Sequence, residues 1–268
     1  MNSIIPTDRP EKSKILTILL IVLMMARVAT LRAADLPVIL VYTHNGFTVG
    51  GKKGYVHDNV ADSVAAIKKI GAQQKFEVVQ SEDPAVFTNA PLKKYRAIIF
   101  SNSNNKAFDN EEERKAFQEY IHAGGGFVGI HSATGSERDW PWFWKLIGGS
   151  FAWHAPLQKF TIQIKDKRHP ATAFFTSDTW DWEDEFYVMK EPPSDLHVLF
   201  GGNVKPLKGV EKKADGLPDF IPLAWYHEFE GGRAFTTTLG HKKEYYRDPL
   251  FLKHLTGGIC WAAKLEVR

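Results

Sequence analysis

The sequence predicts an α/β fold, with a doubly wound parallel sheet in the first half and additional β-strands in the C-terminal half. Two observations carry this. Up to about residue 150, continuous apolar runs alternate with segments of helical spacing, and strands covered on both faces read as such runs. Beyond residue 150 the helical spacing fades and short strands follow one another. The 268 residues are 44% hydrophobic and no Pro/Ser/Gly-rich linker divides them. One large domain over residues 35–268 is therefore expected.

The elements follow in order. Pro37 to Tyr42 is a buried strand, and Asp58 to Ile70 a helix with Val60, Val64, Ile67 and Ile70 at helical spacing. Phe76–Val79 and Ala97–Phe100 are the next strands. Asn110 to His122 is a helix whose first turn carries Glu111, Glu112 and Glu113, favourable at the positive end of its dipole. Phe127–Ile130 is the fourth strand. Phe160–Ile164, His197–Phe200, Ile221–Tyr226 and Arg233–Thr238 are the later strands, Lys205–Asp219 a surface loop or hairpin tip, and Pro249–Ala263 a closing helix.

Residues 1–34 differ in kind. Arg9, Lys12 and Lys14 precede an apolar run from Ile15 to Ala26, and Ala33 and Ala34 follow, the layout of a secretory signal peptide. Arg32 blurs the cleavage site, so an uncleaved anchor is the alternative. The expected location is periplasmic or secreted, with no membrane contact after cleavage. This segment holds five of the 34 Lys/Arg and two of the 31 Asp/Glu, leaving 29 of each in the mature chain. A balanced charge gives no reason to expect a nucleic-acid partner. The single cysteine, Cys260, excludes an intrachain disulfide and reads as a small core residue.

The most telling stretch runs from Gly124 to Ala133. Gly129-x-His131-x-Ala133 has the form of a nucleophile elbow, where small residues two before and two after let a strand turn sharply into a helix. A histidine at its centre suggests acid/base work or metal ligation in place of acyl transfer. Ligands of parallel sheets bind outside the carboxyl ends of the strands. His44, Asn102 to Asn105, His131 and His241 all follow strands there. Gly148-Gly149-Ser150-Phe151-Ala152-Trp153-His154 offers a wall and a polar tip, and Trp180 to Tyr187 sets four carboxylates among aromatics, as sugar binding or acid/base work would use. In a continuous strand Glu183 and Glu185 would share a face. His57 stands in a loop whose Asp58 is placed to cap the next helix. No zinc-finger spacing, phosphate loop or GxGxxG follows the first strand, so no nucleotide cofactor is expected.

These blocks resemble the ThuA-like (trehalose-utilisation) proteins. The resemblance rests on Tyr42-Thr43-His44, Gly124 to Ala133, Gly148 to His154, His169-Pro170, Glu183 to Tyr187, Pro222 to Trp225, Leu239-Gly240-His241 and Gly258 to Trp261. It implies a flavodoxin-like, class I glutamine amidotransferase-like fold and a sugar substrate. Those amidotransferases carry a cysteine at the elbow and a later His/Glu pair. Here His131 takes the elbow, and His241 with Glu244 resembles the pair at a spacing one residue wider. Without a thiol, glutamine hydrolysis is not expected.

The expectation is thus an exported enzyme of carbohydrate catabolism, a hydrolase, lyase or isomerase for a disaccharide, glycoside or 3-keto sugar. Its catalytic candidates are His131, His241 and Glu185, and its substrate-binding candidates His44, His57, Trp153, His154, Glu183 and Tyr187. His131, His154 and His241 are also candidate ligands for a divalent metal, zinc or manganese. A non-catalytic sugar-binding module, or a metal-dependent hydrolase outside sugar metabolism, are the rival readings. A homo-oligomer is compatible with the sequence.

Overall fold

The computed structural model describes residues 36–48 and 50–268; residues 1–34, which the sequence reading takes as a signal peptide, lie outside the described residues. Five strands form the parallel part of a nine-stranded sheet: β1 (Val38–Tyr42), β2 (Glu77–Ser81), β3 (Tyr95–Ser101), β4 (Gly126–Ile130) and β11 (Gly232–Thr237), in the order β2-β1-β3-β4-β11. This is the flavodoxin-like order, with the chain's last strand in the fifth place. Beyond β11 the sheet continues antiparallel through β10 (Ile221–Phe229), β9 (His197–Gly202), β6 (Gln158–Ile164) and β7 (Thr179–Asp184). A separate antiparallel pair joins β5 (Ser150–His154) to β8 (Tyr187–Lys190).

The continuous apolar runs are buried because both faces of the parallel strands are covered. Side chains alternate across a strand. Ile39, Val41, Ala97, Ile99, Val128 and Ile130 pack with α1 (Val60–Gln74) and α4 (Pro249–Ala262). Leu40, Tyr42, Ile98, Phe100 and Phe127 pack with α2 (Glu111–His122) and α3 (Pro141–Ile147). Asn110 caps α2 by accepting the Glu113 N–H at 3.0 Å. Helix α3 was not among the expected elements, although Pro141 at its first position and Gly148 in the left-handed conformation at its end are the usual start and stop.

Two expectations change. The segment Lys205–Asp219 is no mere surface tip: Leu207, Val210 and Ala214 fold back into the core. Trp180 and Trp182 on β7, each 8% exposed, pack against the core and line a cleft shared with Glu244 and Tyr245. Among the described residues no helix is long and apolar enough to cross a membrane.

Candidate functional site

Beyond the carboxyl ends of β3, β4 and β11 lies a crevice of about 360 Å³, within the range of small-molecule sites. His57, His154, Glu185, Tyr187 and His241 line it, with Tyr55, Asn104, Arg138 and Phe151 around them. His131 stands at its floor, fully buried. The chain leaves β4 through His131 at φ +52° and enters a short 3-10 turn, His131–Gly135. That is elbow geometry, and histidine is one of the few non-glycine residues that visits this region with any frequency. Gly129 is needed because a Cβ there would meet Ile147 Cδ1 at 2.9 Å.

The His131 ring is oriented by one bond. Its Nδ1 lies 2.8 Å from the Thr238 carbonyl, which can only accept, so the proton sits on Nδ1 and Nε2 carries the lone pair. Nε2 faces His57 Nε2 and Tyr187 Oη, each at 3.2 Å, and Glu185 Oε2 at 3.7 Å. Burial, helped by the neighbouring His57, keeps the imidazole well below its usual range and hence neutral. Burial likewise pushes His57 down to about 4.

Glu185 links the other histidines. Its Oε2 is 3.3 Å from His241 Nδ1, an ion-pair contact not aligned as a hydrogen bond, and its Oε1 is 3.5 Å from His154 Nδ1. Burial alone would raise this carboxyl, but the imidazoles, His241 first, hold it below the usual carboxylate value. Glu185 in turn raises His241. The pairing partner of His241 is therefore Glu185; Glu244 is exposed and lines a different cleft.

Local irregularities decide which candidates reach the crevice. Strand β7 ends at Asp184, so Glu185 leaves the strand and does not share a face with Glu183. Glu183 instead pairs with Lys242 outside the crevice. The β5–β8 pairing shifts between Phe151 and Trp153. A bulge of this kind breaks the two-residue alternation. Phe151 and His154 consequently line the crevice, while Trp153 packs against the core with Lys213 over its ring. His44 turns away, its Nδ1 2.8 Å from the Glu82 carbonyl. The structure thus brings together His57, His131, His154, Glu185, Tyr187 and His241, and leaves His44, Trp153 and Glu183 outside.

Two positioning residues escaped sequence reasoning. Asp184, fully buried, accepts the N–H groups of Glu185 (2.9 Å), Gly240 (2.9 Å) and His241 (3.3 Å) and the indole of Trp182 (3.0 Å), fixing the two crevice residues to one carboxyl group. Burial raises that carboxyl to about 6 against the pull of these donors. Asn59, also fully buried, donates its two amide hydrogens to the Gly240 and His241 carbonyls, both at 2.7 Å, and the same nitrogen lies 3.1 Å from Asn102 Oδ1. It occupies the N-cap position of α1 yet makes no side-chain cap, and Asp58 is not the cap either.

A model of the ThuA family, described as trehalose utilisation, matches residues 47–262. Among solved structures, a protein of Bacteroides uniformis described as ThuA-like is 23% identical, with a TM-score of 0.63 over 85% of this chain and 93% of its own. A second, from Parabacteroides merdae, is 20% identical, with a TM-score of 0.64 over 85% and 90%. A cytoplasmic protein of Salmonella typhimurium is 14% identical, with a TM-score of 0.56 over 85% and 99%. At these identities the structures establish a shared fold. No curated protein matches the chain.

Proposed function

The chain belongs to the ThuA family, described as trehalose utilisation, and from that premise we propose that it is an enzyme of carbohydrate catabolism. Its substrate is a disaccharide, glycoside or oxidised 3-keto sugar, and its reaction uses no covalent thiol. The observation that carries this reading is the lone pair of His131 Nε2, fixed by Thr238 and aimed among His57, Tyr187 and Glu185. A neutral imidazole so held has two roles open to it, general base or metal ligand, and both make His131 central. Tyr187 Oη, next to His131 Nε2 on the crevice floor, and the more exposed His154 are groups through which protons pass to and from sugar hydroxyls. Cys260 takes no part: it is buried in α4, and burial pushes its thiol up to about 11.

A non-catalytic sugar-binding module would rely on exposed aromatic platforms. Of the aromatics such a module would use, Trp153, Trp180 and Trp182 stand outside the crevice and Tyr187 alone lines it, which weakens that rival. Export belongs to the same proposal, carried by the basic and apolar layout of residues 1–34. The N-terminal sequence of the protein recovered from its native compartment tests it.

The functional test is a turnover screen of disaccharides and their 3-keto derivatives with wild type and His131→Ala. The variant is expected to lose at least about 10²-fold in rate, the lower end of what a positioned acid or base contributes, while keeping its circular dichroism. Wild-type rates in the variant sink the assignment of His131. Saturable sugar binding with no turnover by the wild type would make the chain a binding module.

A further inference from the structure

Four side chains from four separate parts of the chain bring ligand atoms to the crevice floor. His57 precedes α1, His131 forms the elbow after β4, Glu185 follows β7, and His241 follows β11. One nitrogen or carboxylate oxygen from each lies within 4.8 Å of the other three. The closest separations are 3.2 Å from His131 Nε2 to His57 Nε2, 3.3 Å from His241 Nδ1 to Glu185 Oε2, and 3.7 Å from His131 Nε2 to Glu185 Oε2. A tetrahedral ion with bonds of about 2.0–2.1 Å holds its ligand atoms about 3.3 Å apart.

Hydrogen bonding alone does not account for this convergence. The Nδ1 proton of His131 is committed to Thr238, so Nε2 can accept only one hydrogen, yet three polar atoms crowd it. His241 Nδ1, one of the converging atoms, is buried without a hydrogen-bond partner. The Thr238 carbonyl stands to His131 as a supporting acceptor stands to a metal-bound imidazole, and Asp184 fixes the backbone of Glu185 and His241 in the same way.

We propose that His57, His131, Glu185 and His241 together bind one divalent first-row transition ion, with zinc the best match to three imidazoles and one carboxylate. This rests on the crevice being the reaction centre and selects the ligand role for His131. The ligand set differs from the one expected from sequence, since His57 replaces His154. The His154 ring is 40% exposed, with Nδ1 turned to the Ala155 carbonyl at 3.0 Å and to the outer oxygen of Glu185. With four protein ligands a tetrahedral ion has no open position, so a bound ion would supply a Lewis acid to a sugar oxygen or water only by taking a fifth ligand.

The test strips the full-length protein with chelator and titrates it with Zn²⁺, and separately with Mn²⁺, by isothermal calorimetry. Elemental analysis of the protein purified from metal-replete medium runs alongside. One zinc per chain is expected. His57→Ala and His241→Ala should each weaken binding by at least about 100-fold, the most that losing even a supporting partner costs, while His154→Ala should change it less than about 3-fold. Both His57 and His241 stand in loops rather than in the sheet, and the Co²⁺ visible spectrum of each variant gives a second readout of ligand loss. No saturable binding by the wild type, or binding indifferent to His57 and His241, overturns the site. Loss of affinity in His154→Ala but not in His57→Ala overturns the ligand set. Sugar turnover by metal-free protein would refute the ion's part in the reaction and leave the sugar reading standing; stoichiometric zinc without turnover of any sugar would refute the sugar reading and leave the ion site standing.

Discussion

Asn59→Asp is the sharpest probe of how the crevice is held together, because it changes hydrogens and charge but not shape. The orientation of the Asn59 amide is beyond doubt: the carbonyls of Gly240 and His241 can only accept, so the NH₂ group must face them, and Oδ1 is buried without a partner. In the aspartate variant an oxygen would replace that NH₂, and turning the side chain over brings no relief. Two buried hydrogen bonds are lost, each worth about 1–3 kcal/mol when its partner is stranded, which sums to about 4 kcal/mol. The α1 dipole returns less than about 1 kcal/mol to an N-terminal carboxylate. For a domain of this size the loss corresponds to a melting temperature about 8–16 °C lower. Scanning calorimetry at pH 7 and pH 5 reads it. A carboxyl facing three oxygens has its pKa raised, so lowering the pH protonates it, restores one donor and shrinks the deficit. Zinc affinity should fall as well, since the His241 turn hangs from this side chain. Melting within about 2 °C of wild type at pH 7, or a deficit that ignores pH, would refute the reasoning.

The remaining predictions concern the core and the elbow. His254 is fully buried, with Nδ1 2.9 Å from the Ala171 carbonyl, and burial pushes it down to about 4. Because the unfolded value is about 6.5, its contribution is complete above that pH and is lost as the pH falls towards 4; at pH 5 the loss is about 2 kcal/mol. His254→Asn, compared with wild type by urea unfolding at pH 7 and pH 5, should therefore lose about 2 kcal/mol less on acidification, and equal losses would count against the assignment. Gly129→Val would drive methyl groups into Ile147 and Thr236. Overpacking of this kind costs about 1–3 kcal/mol, so calorimetry should show a melting temperature about 2–12 °C lower.

The parallel half was legible because its physics is local. Strands such as Ile98–Phe100 need apolar residues on both faces, and that requirement is written in the sequence as an unbroken run. The elbow was legible for a similar reason, since Gly129 and Ala133 bracket His131 within five residues. What failed depended on distant partners. Nothing near Trp153 shows that β5 bulges against β8, so the tryptophan and the histidine beside it could not be told apart. Nothing near Glu183 shows that the strand stops one residue later, which puts Glu185 in the crevice and Glu183 out of it. Asn59 looked like one more polar residue ahead of a helix, while its acceptors lie about 180 residues away.

The elbow itself indicates why both halves of the chain are needed. A non-glycine residue at φ +52° stores about 1–3 kcal/mol of strain and persists only where its surroundings over-determine it. Thr238 fixes the His131 ring from the end of β11, and Ile147 of α3 packs against Gly129. Those restraints come from the parallel half and its helices, yet they would hold an imidazole with no carboxylate in reach. Glu185 arrives from the β7–β8 connection and Tyr187 from the first position of β8, both outside the parallel strands. Asp184 joins the two halves by taking the N–H groups of Glu185 on one side and of Gly240 and His241 on the other. A parallel sheet of the same order without that extension would keep the strained histidine and lose its carboxylate, and with it the means to balance the charge of a bound cation.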